Sequence, residues 1–193
     1  MAGMQQLTDR ARGHRVGRAA FEAFRESRDD GCRYELLKGE ILVTPAPGTL
    51  HQRAVVRLIV HLSSPLPEDT ELLIAPYDVV LTTTDGDTTL QPDLLLARTG
   101  DLTPTHLTGP PALVVEVLSP TTWHRDLGTK MAAYAEAGVE HYWVLTPTTP
   151  SLTVYHLGST GSYEEVRHVE GSEQAEITAP VQLTLCPVDL VRP

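Results

Sequence analysis

Apolar residues recur three and four apart at Val55, Leu58, Ile59 and Leu62, the spacing of one helix face. The spacing predicts a helix from Thr49 or a neighbour to Leu62, with His51 in its first turn and Ser63-Ser64-Pro65-Leu66-Pro67 ending it. A shorter stripe of Ala19, Phe21 and Phe24 predicts a helix over Arg15–Ser27, stopped by Asp29-Asp30-Gly31. A third helix is predicted from His124 to Ala137, with Gly138 as its C′ residue. Short apolar or alternating runs predict strands at Leu72–Thr82, Thr88–Ala97, Ala112–Leu118, His141–Leu145, Leu152–Leu157, Tyr163–Val169 and Val181–Leu185. The first two of these are joined by a turn around Asp85-Gly86, and residues 99–111 read as a loop. Residues 1–14 are polar and without period, a flexible arm ahead of one domain over 15–193. Apolar strands beside amphipathic helices predict an α/β or α+β sandwich built on a central sheet.

One segment specifies its own register. Tyr34-Glu35-Leu36-Leu37-Lys38-Gly39-Glu40-Ile41-Leu42-Val43 reads as a hairpin with Lys38-Gly39 as the two-residue turn. Leu37 then faces Glu40, and Glu35 faces Leu42. Cross-strand partners share a face, as do residues two apart, so Glu35 and Glu40 project on one side. Tyr34, Leu36, Ile41 and Val43 take the other.

Composition narrows the class. The chain has 193 residues, 41% hydrophobic and 21% charged, enough to bury a core. No apolar run reaches the length of a membrane helix, and the N-terminus carries no secretory pattern. Cys32 and Cys186 form no CxxC pair, which excludes a zinc ribbon and a disulfide scaffold and points to the cytoplasm. The net charge is −10, unlike the basic surface that goes with sequence-independent nucleic-acid binding. The acid is uneven: Met131–Pro193 carries −6 and residues 1–130 carry −4. A polyanion site is therefore expected in the first two-thirds of the chain. Lys38 and Lys130 are the only lysines, against 13 arginines.

Serine-hydrolase, P-loop, dinucleotide-binding and zincin motifs are all absent, and none of the eight histidines has zinc-site spacing with a second ligand. What stands out is two carboxylates inside apolar strands. Asp93 interrupts Leu90-Gln91-Pro92-Asp93-Leu94-Leu95-Leu96, and Glu116 interrupts Leu113-Val114-Val115-Glu116-Val117-Leu118. A buried carboxylate is costly unless it is paired or metal-bound. A solvated strand face or one ion pair accounts for a single such residue. Two of them on neighbouring strands favour a shared cation. Pro92 suits an edge or a bulge. Lys130 shares a helix face with Leu127 and Tyr134. It either pairs with Asp126 at i−4 while its stem lies on the core, or stands beside a metal site. His51, Glu35 and Glu40 taken alone read as surface groups. Trp123 and Trp143 read as packing residues, and the cysteines as inert.

The hairpin from Tyr34 to Glu40, His51, Gln91-Pro92-Asp93, Val114–Pro120, Asp126, Lys130, Tyr134 and Gly138–Val144 occur in an order that resembles the Uma-two family of restriction-endonuclease-type proteins, within the PD-(D/E)xK nuclease superfamily. The resemblance covers about residues 15–190. It implies a central mixed β-sheet flanked by helices, with an N-terminal hairpin and a β-rich C-terminal tail. It implies Mg2+ or Mn2+ held by Asp93 and Glu116, helped by the Val117 carbonyl and by Glu40 as the hairpin glutamate. Glu35 and His51 take auxiliary places. The superfamily lysine two residues after the glutamate is here Leu118, and the lysine of this family lies on the next helix, matching Lys130. The implied activity is metal-dependent hydrolysis of DNA phosphodiester bonds, with Asp93, Glu116 and Lys130 catalytic. Arg53, Arg57 and Arg125 are either phosphate contacts or surface charges. The alternatives are a nuclease-fold protein that binds or regulates without useful cleavage, and hydrolysis of RNA or a small phosphate ester. Symmetric pairs are the commonest oligomers, and a duplex has two strands to cut, so a homodimer is expected.

Overall fold

Two proline-marked breaks decide how this chain is layered. In the computed structural model, which describes residues 15–44, 46–64, 66–119 and 126–192 (backbone only for 126 and 127), the expected strand Leu72–Thr82 is two strands, β3 (Thr70–Ile74) and β4 (Asp78–Leu81). The expected strand Thr88–Ala97 is likewise β5 (Thr88–Leu90) and β6 (Leu94–Arg98). Pro76 and Pro92 lie in the two interruptions, which face each other: the Ala75 amide donates to the Asp93 carbonyl at 3.3 Å. Proline has no N–H for a ladder, so an extended pair cannot run through both. β3 and β6 stay together, with Ile74 opposite Leu94, while β4 and β5 pair in a different sheet. Asp93 sits at the crossing.

The remaining strands are β1 (Arg33–Leu37), β2 (Glu40–Thr44), β7 (His106–Thr108), β8 (Leu113–Val117), β9 (His141–Thr146), β10 (Ser151–Leu157), β11 (Tyr163–Glu170), β12 (Ala175–Ile177) and β13 (Leu183–Leu185). A six-stranded mixed sheet has the order β11-β10-β9-β8-β6-β3, and its β8–β9 pair is parallel. A five-stranded sheet has the order β2-β1-β5-β4-β7, and β12 and β13 form a small ribbon. β7 and β12 lay hidden in segments read as loop, because three-residue strands show no period. The strand expected at Val181–Leu185 is shortened to β13.

The hairpin register is as expected, with Leu37 opposite Glu40 and Glu35 opposite Leu42. Lys38 and Gly39 both take positive φ, 51° and 82°, as this tight turn requires. At Gly39 a Cβ would come within 2.6 Å of Arg15 Cβ.

Three helices complete the described fold: α1 (Arg18–Glu26), α2 (Thr49–Ser63) and α3 (Met131–Ala137). α2 buries Ala54, Val55, Leu58 and Leu62 against Leu94, Val115, Val117 and Trp143 on one face of the six-stranded sheet. The other face, through Leu95, Val114, Tyr142 and Val144, meets Leu37, Val79, Leu81 and Leu90 of the five-stranded sheet and Ala133 and Tyr134 of α3. α1 covers the far side of the hairpin through Phe21, with Tyr34 and Leu36. Ala19, expected in that stripe, is exposed. The helix expected from His124 begins within the described residues at Asp126, as a π-helical turn to Lys130, and continues as α3. Gly138 caps it with φ 86°. The arm over 1–14, Arg125 and Trp123 lie outside the described residues, as do the side chains of Asp126 and Leu127.

The alternation along β8 aims the site. Leu113, Val115 and Val117 pack towards α2, while Val114 packs towards the five-stranded sheet and α3. Glu116 has the parity of Val114, and it is 1% exposed.

Candidate active site

Four elements deliver the buried charged residues: Glu35, Glu116 and Lys130 form one cluster, and Asp93 is joined to it through the Val117 amide. Glu35 comes from β1, Asp93 from the break before β6, Glu116 from β8, and Lys130 from the turn leading into α3. All four are buried, none more than 4% exposed. Lys130 Nζ lies 2.9 Å from Glu35 Oε2 and 3.4 Å from Glu116 Oε1. The Gln91 amide donates to Glu35 Oε1 at 2.8 Å, and the Tyr134 hydroxyl donates to Glu116 Oε1 at 3.2 Å. Burial, then the charges of Glu116 and Glu35, hold the Tyr134 phenol well above its usual range, so it stays a donor.

Asp93 is fixed on three sides. Arg33 Nη1 donates to Oδ1 at 2.8 Å, the Val117 amide donates to Oδ2 at 2.9 Å, and His51 Nε2 lies 3.0 Å from Oδ2. Burial alone would raise its carboxyl. The His51 hydrogen bond and the Arg33 guanidinium outweigh it, and the group falls to about 2. Asp93 is therefore ionised at neutral pH. The Val117 bond ties it to the residue beside Glu116, which holds the two carboxylate-bearing segments together.

The hairpin glutamates part company. Glu35 is buried in the cluster, whereas Glu40 is exposed beside the turn and makes no hydrogen bond or ion pair to the cluster. Of the two, Glu35 and not Glu40, the expected hairpin ligand, stands beside Lys130. The two share a face, as the register requires, but Glu40 is on β2, the edge strand of its sheet, whereas Glu35 is on β1, between β2 and β5. Lys130 turns inward as its helix face implies, towards Glu35 and Glu116. Val117 contributes its amide, and its side chain packs against α2. Arg53 donates to the Val191 carbonyl at 3.1 Å, and Arg57 is exposed on α2.

Arg33 was not singled out by its sequence pattern, though its parity with Glu35 and Leu37 places it on the same face of β1. Asp78 and Arg25 were missed as well. Arg25 grips Asp78 through two bonds of 2.8 and 2.7 Å, and Gln91 Nε2 donates to the same carboxylate at 2.7 Å. These groups line a cleft of about 650 Å³. Arg33, His51 and Asp93 are on its wall, together with Arg25, Asp78 and Gln91. The cleft is built from residues 25–105, within the less acidic two-thirds of the chain.

The cluster suits a hard divalent cation. Glu35, Asp93 and Glu116 are three buried carboxylates, and Arg33 and Lys130 reach them in ion pairs among the described residues. Glu35 Oε2 has no hydrogen-bond donor at good angle among the described residues, although Lys130 is near. Carboxylate oxygens are the donors such an ion takes.

No helix among the described residues is long and apolar enough to cross a membrane. Cys32 and Cys186 are free thiols.

No curated protein matches this chain. A crystal structure described as "a putative nuclease belonging to DUF820", from Anabaena variabilis ATCC 29413, is similar in fold, with a TM-score of 0.66 over 89% of this chain and 96% of that one. At 16% identity the likeness concerns the fold alone. The Uma2 family model, described as "Putative restriction endonuclease", matches residues 19–189. On that match, which runs from α1 into the turn after β13, the chain belongs to the Uma2 family.

Proposed function

We propose that this chain is a divalent-metal-dependent endonuclease, one nuclease domain over residues 15–193, that hydrolyses phosphodiester bonds in DNA. The observation that carries the reading is the buried cluster of Glu35, Glu116 and Lys130, from separate elements, with buried Asp93 tied beside it through the Val117 amide. Stability alone seldom favours such an arrangement, because desolvating several charges costs more than their pairing returns. The family's description and the nuclease named in the similar crystal structure support the same reading.

In this reading Asp93 and Glu116 hold Mg2+ or Mn2+, with Glu35 and the Val117 carbonyl completing the set. When bound, the ion supplies an acidified water and offsets phosphate charge. The chain supplies position. His51 and Arg33 keep Asp93 ionised and oriented. Lys130, held between two carboxylates, provides a fixed positive charge for the negative charge that develops on the phosphoryl oxygens. Tyr134 fixes the rotamer of Glu116 from behind. Arg25 and Arg33 give the cleft its cations. Two copies, one for each strand, suit a duplex substrate.

A second reading has its own observation. Each carboxylate in the cluster already has a protein partner, and Asp78 and Asp93 oppose the arginines in the cleft. A protein that binds or regulates without cutting fits that balance. Calorimetric titration of Mg2+ and Mn2+ into wild type and Asp93→Ala separates the two. Saturable binding that disappears in the variant is the expected result. No heat of binding in either protein at millimolar metal overturns the hydrolase reading and leaves the binding one.

A further inference from the structure

We propose that Glu140, His141 and His156 form a second metal site, for a borderline first-row divalent ion such as Zn2+, at the far end of β9 from the carboxylate cluster. His141 on β9 and His156 on β10 are direct cross-strand partners, so their side chains share a face. Their rings meet edge-on, with centroids 5.1 Å apart. Glu140 Oε1 lies 3.3 Å from His156 Nε2 and 3.9 Å from His141 Nε2. One ligand atom from each residue falls within 4.8 Å of the others. Tetrahedral zinc, with bonds of about 2.0–2.1 Å, holds its ligand atoms about 3.4 Å apart. Closing the site therefore takes movements of roughly an ångström from two exposed side chains. His141, 9% exposed, is the fixed member, while His156 and Glu140 are 44% and 66% exposed.

The surroundings leave room for the ion. A cleft of about 400 Å³, lined also by Arg167 of β11 and by Glu176 and Ile177 of β12, opens beside both histidines. It accommodates a fourth ligand such as water. Two imidazoles and one carboxylate with an open position make a donor set suited to zinc, and imidazole selects against Mg2+. The site is also distinct in place. His141 pairs with Leu113 and Val144 pairs with Glu116, three residues further along β8 and β9. His141 has the parity of Trp143, on the α2 side of the sheet, whereas Glu116 faces away from it. No zinc spacing was visible in the sequence because the second histidine arrives across a strand pair rather than from a local motif.

The competing account is a carboxylate that merely accepts hydrogen bonds from two histidines. Zn2+ titrated calorimetrically into the full chain near neutral pH distinguishes them. The expected result is a single saturable equivalent, weakened at least about tenfold in His156→Asn and in Glu140→Gln. His168→Asn removes an exposed histidine paired with Glu170 on the next strand, and it should leave the affinity unchanged, as should Asp93→Asn. Zinc binding that survives both His156→Asn and Glu140→Gln, or no saturable binding to the wild type, overturns the proposal. If circular dichroism shows that His156→Asn does not fold, Co2+ bound to the wild type decides. The intense visible absorption of a tetrahedral site supports the proposal, and the weak absorption of an octahedral one overturns it.

Discussion

Lys130 is the residue on which the cluster's charge balance turns. It is one of two lysines in the chain, and it stands between Glu35 and Glu116 at 2.9 and 3.4 Å. Lys130→Met would leave two buried carboxylates facing each other, a change expected to cost about 3–5 kcal/mol. Urea unfolding measures that loss, and Mg2+ should recover part of it if the carboxylates take a cation in place of the ammonium. Asp93 gives a pH test. Its carboxyl is held at about 2 in the fold, below its ordinary value of 3.8. A depressed carboxyl stabilises the fold above its unfolded pKa, and the contribution disappears as pH falls through its folded value. The stability gap between wild type and Asp93→Asn should therefore be constant above about pH 5 and should narrow between pH 4 and 2. At the residue level Asp93, Glu116 and Lys130 were legible as charged residues in apolar patterns. Arg33 was not, because a charged residue at the start of a strand looks like an ordinary solvated end.

At the scale of elements, local chemistry was readable and partnership across the chain was not. The Lys38-Gly39 turn and the pairings that follow from it could be written from the sequence, because a two-residue turn admits one register. The same reasoning left Glu35 and Glu40 equivalent. Strand parity gives the face of a side chain, whereas depth depends on the strand's place in the sheet, and β2 is an edge strand where β1 is not. Glu40→Ala should accordingly leave metal binding and DNA cleavage unchanged, while Glu35→Gln should weaken both, with parallel titrations and cleavage assays as the check. The two long strands expected around Asp85-Gly86 failed at Pro76 and Pro92. Either proline alone is compatible with an edge or a bulge. Only their opposition across the pair, which no single segment displays, transfers the strands to two sheets and sets Asp93 at the crossing. β7 and β12, with three residues each, are made strands by their partners.

At the scale of the whole molecule, the α+β class, a central mixed sheet and the N-terminal hairpin were legible. The second sheet was not, since its pairings join β1 to β5 and β4 to β7 over long separations. The net charge of −10 opposes non-specific DNA binding, and the cleft beside Asp93 has balanced rather than basic walls. In the proposed function, a bound cation and Lys130 supply the positive charge at the scissile phosphate. The chain's DNA binding should therefore strengthen when Mg2+ is present. The most direct test of the central claim is the cleavage of supercoiled plasmid DNA in Mg2+ and Mn2+ by wild type, Asp93→Ala, Glu116→Gln and Lys130→Met, each first shown to be folded. The account predicts metal-dependent nicking by the wild type that is lost in all three variants. Nicking that persists in Asp93→Ala or Glu116→Gln, or a wild type that binds metal and still leaves every DNA intact, would contradict it.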